Sequence, residues 1–178
     1  MLTTPRWNRI IVVSALVLIL ALVNGSIRVK ERHLAEGEVV FLELAPVDPR
    51  SLLQGDYMAL RFGLANRVWS ARYASQHAGD ERAAADGYVI VRLDAQRVGH
   101  FQRLGSPTTT LADDELLLRY RLRNGQVQFA TDAFFFQEGH AERYEPARYG
   151  QFRVNESGEP LLVALHDDKL KLLGKMLR

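Results

Sequence analysis

The chain has 178 residues, of which 47% are hydrophobic and 25% charged, so its length suits one globular domain with a small appendage. Its formal net charge of +2 comes from Arg6 and Arg9, because the basic and acidic residues after residue 27 balance. Phosphate binding needs a concentrated basic patch, and these charges are interspersed, so nucleic acid is not an expected partner. The absence of cysteine excludes disulfides, thiolate metal sites and a cysteine nucleophile.

The N-terminal segment carries a membrane signal. Residues 10–23 are apolar except for the hydroxyl of Ser14, and residues 10–27 reach the length needed to cross a bilayer core. Trp7 and Arg9 stand where interfacial anchors are typical. The segment therefore predicts a membrane-spanning helix with the lipid bilayer as its partner.

A retained anchor divides the chain into a cytoplasmic tail at 1–9, a transmembrane anchor at 10–27 and an extracytoplasmic domain at 28–178. A short tail stays inside easily and a neutral domain is readily translocated, although basic residues flank the segment on both sides. We therefore predict a single-pass inner-membrane protein with its N-terminus in the cytoplasm and its domain in the periplasm or extracytoplasmic space. A cleaved signal peptide has the same pattern and is the alternative.

From Glu38 onward the dominant sequence period is two, which predicts β-strands. The segment 116–129 alternates apolar residues with arginines around Asn124-Gly125, the pair typical of a type I′ hairpin turn. A second hairpin is predicted from Phe152 through Gly158 to Leu165. Further strands are predicted at 38–45, 57–62 and 88–94.

One segment has helical spacing instead. Apolar residues recur three and four apart from Leu64 to Tyr73, which predicts an amphipathic helix. Segments 79–87 and 105–115 have loop composition, and the C-terminal residues 172–178 are predicted as a short turn or a final strand.

Such a series of hairpins is expected to close on itself, because an open sheet leaves long edges exposed. The predicted fold class is mainly β, a closed antiparallel barrel or a sandwich, or α+β if its one or two short helices are counted, after a single N-terminal transmembrane helix.

The stretch 46–62, PVDPRSLLQGDYMALRF, concentrates polar and turn-forming residues. Asp48 followed by Pro49 is typical of the start of a helix and Gly55 of its end, which predicts one capped helical turn between them. Ser51 is followed by Leu52, where the membrane-anchored signal peptidases have methionine, and the lysines lie near the ends of the domain. The histidines are scattered and their spacing does not show which of them meet Ser51, so no catalytic residue is assigned.

Gly55-Asp56-Tyr57 followed by Leu60 resembles the family named for a GDYXXLXY motif, and the segment 134–154 is similar to that family's second block. The resemblance implies a small protein with one N-terminal membrane segment, an extracytoplasmic domain and no established activity. The chain departs from the motif at Phe62, where the family has tyrosine, so no phenolic hydroxyl is available at this position. The motif residues are taken as structural or binding residues: Asp48, Pro49, Arg50, Gly55, Asp56, Tyr57, Leu60 and Phe62.

The run of three phenylalanines after residue 133 is the second candidate site. Consecutive residues of a strand point to opposite faces, so at least one ring reaches the outer face. Burial under the predicted helix at 64–73 is one interpretation, and an exposed partner-binding patch is the other. The residues of that patch are Phe134, Phe135, Phe136, Glu138 and Gly139.

Two acidic clusters, at 113–115 and 167–168, are candidates for metal chemistry. Neither has a histidine at ligand spacing and each borders a turn or strand end, so they are predicted to be solvated. No metal and no cofactor is expected.

Two function classes remain. The first is a membrane-anchored extracytoplasmic interaction module, an accessory subunit of an inner-membrane or envelope protein assembly without catalysis of its own, with an integral membrane or envelope protein as partner. The second is a membrane-tethered envelope hydrolase with its site around Asp48, Asp56 and a histidine. The first is preferred, because turn chemistry accounts for the motif and no nucleophile-base pair is recognisable. The histidines open to the second are His33, His77, His100, His140 and His166.

Overall fold

The structure is a computed structural model that describes residues 6–45, 53–54, 57–75 and 85–176. The chain divides into two compact units, Met1–Glu36 and Gly37–Arg178.

The described residues of the first unit form one helix, α1 (Arg6–Glu36), which continues past residue 27. Its 31 residues correspond to about 46 Å, more than the ~30 Å of a bilayer core. The apolar side chains between Ile10 and Val29 are exposed, and Asn24 donates its polar hydrogen to a carbonyl within the helix. By length and composition α1 can cross a membrane, and a signal sequence would satisfy the same criteria.

The second unit is built mainly from antiparallel strands. Its described elements form three sheets with the orders β1-β9-β10-β11, β2-β3-β8 and β5-β4-β6-β7. In chain order these elements are β1 (Glu38–Glu43), β2 (Leu53–Gln54), β3 (Tyr57–Ala59), α2 (Gly63–Ser75), β4 (Ala85–Leu93), β5 (Gly99–Gly105), β6 (Glu115–Arg123), β7 (Gln126–Gln128), β8 (Ala133–Phe135), a 3₁₀ turn (Ala141–Tyr144), β9 (Tyr149–Val154), β10 (Pro160–His166) and β11 (Leu172–Lys175).

Strand β1 connects the three sheets. Its Phe41 N–H donates to the carbonyl of Arg97 at 3.0 Å, beside a parallel bridge to Val98 at the start of β5. Just past β1, Leu44 forms an antiparallel bridge with Phe62, which follows β3. The sheets therefore share one hydrophobic core. Its largest fully buried side chains include Phe129, Phe134, Phe152, Leu42 and Met58.

The predicted fold class is confirmed, since a mainly β antiparallel domain with a short helix follows an N-terminal apolar helix. The three sheets do not close into a barrel within the described residues, so of the two predicted closures only the sandwich stays compatible with the structure.

Both predicted hairpins are confirmed. β6 pairs with β7 across Asn124 and Gly125, whose φ angles of 52° and 73° are those of a type I′ turn. β9 pairs with β10 across a turn in which Gly158 has a φ of 75°. The apolar face predicted for β6 is buried at Leu116, Leu118, Tyr120 and Leu122.

The predicted amphipathic helix is confirmed as α2, with Leu64 and Val68 buried. The apolar series predicted from Leu64 to Tyr73 is wrong at its last residue, because the Tyr73 side chain is 63% exposed. The C-terminal segment takes its strand alternative, as β11.

Two loop or turn predictions are wrong where pairing overrides local signals. Residues 85–87 belong to β4 instead of a loop, because β6 offers them a partner strand. Leu53 and Gln54 form β2 instead of the end of a helical turn, because Met58 and Tyr57 pair with them. The rest of the predicted turn lies outside the described residues.

Candidate functional site

A groove of about 530 Å³ opens beside the described part of the motif, within the ~300–1,000 Å³ typical of ligand sites. Its walls are the chain from Ala59 to Phe62, the first turns of α2, and β7 with the chain that follows it. We call it the motif groove. Its lining residues are Ala45, Ala59, Leu60, Arg61, Phe62, Ala65, Asn66, Trp69, Gly125, Gln126, Val127, Gln128, Phe129, Thr131 and Asp132.

The floor of the motif groove is apolar and firmly packed. Leu60, Phe62 and Phe129 are buried, and the Phe62 ring lies edge-on to Phe129 and Phe152 at centroid distances of 6.4 and 5.2 Å. A Cβ at Gly150 would come within 2.9 Å of the Phe62 ring, so glycine lets this ring sit against β9. The last motif position is thus a core aromatic here, a role that needs no hydroxyl.

Backbone hydrogen bonds fix the motif chain on both sides of the floor. The Leu60 N–H donates to the carbonyl of Asp132 at 2.7 Å, and the Arg61 carbonyl accepts from the Ala45 N–H at 2.7 Å. Because these bonds come from segments on opposite sides, the chain between Ala59 and Phe62 is held in place. The groove wall is therefore preformed.

The rim of the motif groove is polar and largely unpartnered. Gln128 donates to the Asp132 carboxylate at 3.3 Å. Among the described residues, the side chains of Arg61, Asn66 and Trp69 make no hydrogen bond or ion pair, and Trp69 is half-buried. Arg61 and Asn66 are exposed and Trp69 is half-buried, so these polar groups are accessible to a partner. Together with the apolar floor, they give the groove the polar rim and apolar centre of a binding surface.

The motif residues fall into three groups. Leu60 and Phe62 belong to the groove floor. Tyr57 is half-buried on β3, with its ring centroid 5.8 Å from that of Phe135 on β8. The remaining motif residues lie outside the described part of the chain: Asp48, Pro49, Arg50, Gly55 and Asp56.

The phenylalanine run is split between core and surface. Phe134 and Phe136 are buried, with their ring centroids 5.2 and 4.9 Å from that of Tyr144 in the 3₁₀ turn. Their cover is therefore Tyr144 instead of the predicted helix, and they are core residues. The predicted partner surface is reduced to Phe135, which is 51% exposed, with Glu138 and Gly139 exposed beyond it.

Three of the turns share one design, and we call them the Asx turns. They connect β4 to β5, β9 to β10 and β10 to β11. In each, a side-chain oxygen of the first residue accepts the N–H groups of the second and fourth residues after it at 2.8–3.1 Å. The third residue after it has a positive φ. The first residues are Asp94, Asn155 and Asp167, and the positive-φ residues are Arg97, Gly158 and Leu170.

The acidic clusters have structural partners. The Arg103 guanidinium beside Glu115, with the Ala112 N–H, lowers the pKa of that carboxyl to about 2. Asp114 pairs with Arg92 at 3.1 Å. The N–H groups of the last Asx turn lower the pKa of Asp167. In the part of the chain that the structure describes, no group of three or more His, Asp or Glu side chains could hold a metal ion.

A second ion-pair cluster lies on β4 and β6. Arg119 binds Asp86 and Glu159, each at 2.8 Å, and Arg123 binds Asp86 at 3.0 Å. The Arg119 hydrogen bond lowers the pKa of Asp86, and Asp86 in turn raises the pKa of Arg119. These charges link strands and the β9–β10 turn, and they do not line the motif groove.

The described histidines outside α1 also lie away from the motif groove. His100 Nε2 is 3.0 Å from the Asp94 carboxylate, and this hydrogen bond is the main reason the pKa of Asp94 is lowered. His166 is buried, with its two ring nitrogens 2.9 Å from the Leu170 carbonyl and the Gln151 side chain. His140 lies directly before the 3₁₀ turn, is exposed, and does not line the groove. His77 lies outside the described residues.

A mainly β domain of three antiparallel sheets behind an apolar N-terminal helix defines the class of this protein. A family model described as "GDYXXLXY protein" matches residues 19–165, so the chain belongs to the GDYXXLXY family, as its motif predicted. A search of the curated proteins and a search of the solved structures each found nothing similar to it.

The sequence reasoning did not identify the polar rim. Arg61 stands at a variable motif position, and Trp69 reads as part of the apolar face of a helix. The four-residue spacing of Ala65 and Trp69 predicts that both lie on one face of α2, and this was the one sequence signal for the groove wall. The opposite wall comes from residues about sixty positions later, and no local pattern shows that the two meet.

Proposed function

We propose that the chain is a membrane-anchored interaction module, held at the outer face of the inner membrane by α1 and binding an integral membrane or envelope protein through its β-rich domain. The length and apolar surface of α1 support the anchor. The neutral charge of the domain supports an extracytoplasmic location.

The observation that carries the proposal is the motif groove. Its floor is apolar and preformed, while the guanidinium of Arg61, the amide of Asn66 and the indole N–H of Trp69 have no partner in the described part of the chain. An apolar centre with a polar, hydrogen-bonding rim is the usual anatomy of a protein interface. The groove thus offers a partner both burial and unused hydrogen bonds.

The hydrolase alternative has less support. His100 is hydrogen-bonded to Asp94 in the first Asx turn, and His166 is hydrogen-bonded to Gln151 on the neighbouring strand. Neither histidine lines the motif groove. The described carboxylates with a lowered pKa belong to turns and ion pairs. Asp48 and Asp56 lie outside the described residues, so the hydrolase site rests on the sequence alone.

The test is site-specific photo-crosslinking of the full-length protein in native membranes. A photo-reactive residue replaces Gln126 at the rim of the motif groove or, as the matched control, Arg121 on the neighbouring strand, since both positions are exposed. We expect the chain in the membrane fraction and one crosslinked protein that only the Gln126 variant captures. A chain found shortened in the soluble fraction, or the same products from both variants, would overturn the proposal.

A further inference from the structure

The free edge of β7 presents one unpaired backbone residue. Strand β7 pairs with β6 in the register Arg123↔Gln126, Leu122↔Val127 and Arg121↔Gln128. Residues that flank a two-residue hairpin loop form a hydrogen-bonded pair, and such pairs alternate along an antiparallel ladder. Gln126 and Gln128 therefore bond toward β6, and the N–H and C=O of Val127 point away from it. Within the described residues neither Val127 group has a hydrogen-bond partner.

That free edge faces the motif groove. The groove is lined by every residue from Gly125 to Phe129 in succession. One face of a strand would supply only alternate residues, because successive side chains point to opposite faces. An unbroken series therefore means that the groove runs along the edge of β7. The sheet order agrees, since β7 is the last strand of its sheet.

The side chains around the free edge of β7 indicate the chemistry of a ligand that would bind there. Trp69 offers a half-buried ring and an unpartnered indole N–H on the α2 wall. Arg61 offers an exposed guanidinium that has no acidic partner among the described residues. A partner that satisfies all three features has a backbone N–H and C=O, an apolar side chain and a carboxylate.

We propose that the motif groove binds an extended peptide segment of a partner protein as an added strand on β7. The segment pairs with the N–H and C=O of Val127, inserts an apolar side chain against Trp69 and the groove floor, and places an acidic side chain at Arg61. This inference deepens the interaction module proposed above and rests on it. It names the chemical class of the ligand, an acidic and apolar extended peptide, in the way that edge-strand addition requires.

The short edge sets the expected affinity. β7 has three residues, about 10 Å of strand, and only Val127 presents its backbone groups outward. Two backbone hydrogen bonds fix register more than they supply affinity, so most of the affinity comes from the two side-chain contacts. We expect a dissociation constant on the order of micromolar.

The test pans a displayed library of random twelve-residue peptides against the full-length protein in lipid nanodiscs. Val127→Pro removes the outward N–H and keeps the ladder to β6, since proline is tolerated at an edge position whose N–H faces away from the sheet. Val127→Thr is the matched control, because it keeps the N–H and the branched shape. We expect enriched peptides to bind Val127→Pro at least about tenfold more weakly and Val127→Thr within about twofold of the wild type.

A charge swap keeps the test decisive if Val127→Pro fails to fold. Arg61→Glu should weaken binding of an enriched acidic peptide at least about tenfold, and replacing the acidic residue of that peptide with lysine should restore it. The inference is overturned if no peptide is enriched, if Val127→Pro binds as tightly as the wild type, or if the charge swap restores nothing.

These outcomes separate the two proposals. If Gln126 crosslinks a membrane protein and Val127→Pro leaves that product unchanged, the interaction module stands and strand addition is wrong. If neither crosslinking nor panning finds a ligand, both are wrong.

Discussion

The Asx turns and the motif groove differ in whether their polar groups have hydrogen-bond partners within the protein. In the turns, side-chain oxygens of Asp94, Asn155 and Asp167 each accept two backbone N–H groups of the same loop. In the groove, Arg61 and Trp69 have no partner among the described residues. The turns are therefore complete and stabilise the fold, whereas the groove has hydrogen bonds left for another molecule.

The largest expected effect tests whether the last motif residue, Phe62, belongs to the hydrophobic core. Phe62→Ala removes a buried ring that contacts Phe129 and Phe152, so the free energy of unfolding should fall by about 3–5 kcal/mol. Urea unfolding of the full-length protein in detergent micelles measures it. Phe135→Ala is the control, because that ring is 51% exposed and its loss should cost less than about 1 kcal/mol. Equal losses from the two variants would contradict this division.

The next effect tests whether an Asx turn is stabilised by its acceptor oxygen alone or also needs the negative charge of the carboxylate. Asp167→Ala removes the acceptor of two N–H groups and should lower the free energy of unfolding by about 0.5–2 kcal/mol, as the loss of a helix cap does. Asp167→Asn should retain most of the stability, since Asn155 does the same work with an amide oxygen. A loss from the asparagine variant as large as that from the alanine variant would show that the charge matters instead of the acceptor.

The acid sensitivity of the fold should follow from its paired carboxylates. The pKa of Glu115 is lowered to about 2 in the folded protein, against about 4.3 in an unfolded chain. Its ion pair with Arg103 therefore contributes stability above the unfolded pKa, and that contribution is lost as the pH falls through the folded pKa. The free energy of unfolding should decrease from about pH 5 to about pH 2, as chemical unfolding at a series of pH values would show.

Glu115→Gln should flatten part of that decrease. The slope should shrink without vanishing, because Asp86, Asp94 and Asp167 also have a lowered pKa. Glu138→Gln is the control, since Glu138 is exposed and has no ion pair among the described residues. An unchanged pH profile in Glu115→Gln would show that the ion pair between Glu115 and Arg103 does not contribute to the pH dependence of stability.

The smallest effect lies where the chain leaves β7. Ala130 has a φ of 57°, a left-handed conformation that glycine adopts without strain. Ala130→Gly should raise the free energy of unfolding by about 0.5–1 kcal/mol. Ala95→Gly, in the first Asx turn and without a positive φ, should lower it slightly, and a gain at both positions would argue against strain at Ala130.

Local signals in the sequence were enough for some elements. Asn124-Gly125 and Gly158 mark turns because few other residues adopt their positive φ angles, and both hairpins follow from them. The Asp48-Pro49 and Gly55 pattern failed at Leu53 and Gln54, because pairing with β3 outweighs local cap chemistry. Propensity gives way where a partner strand is available.

The groove could not be predicted for a different reason. Its walls meet only after α2 packs beside β7, so Arg61 and Trp69 approach Val127 through long-range packing. The phenylalanine run around Phe135 also depends on long-range packing that the local sequence does not show. Alternation placed one ring outward correctly, but the cover over its neighbours comes from Tyr144, in a 3₁₀ turn that no periodicity indicated.

The most direct test of the central claim is amide hydrogen exchange of β7, measured residue by residue by NMR on the full-length protein, free and with an enriched peptide. We predict that Val127 exchanges quickly in the free protein while Gln126 and Gln128 are protected by β6, and that the peptide slows Val127 alone. A Val127 amide that is already protected in the free protein, or that stays fast in the complex, would contradict the claim that this edge is the binding site.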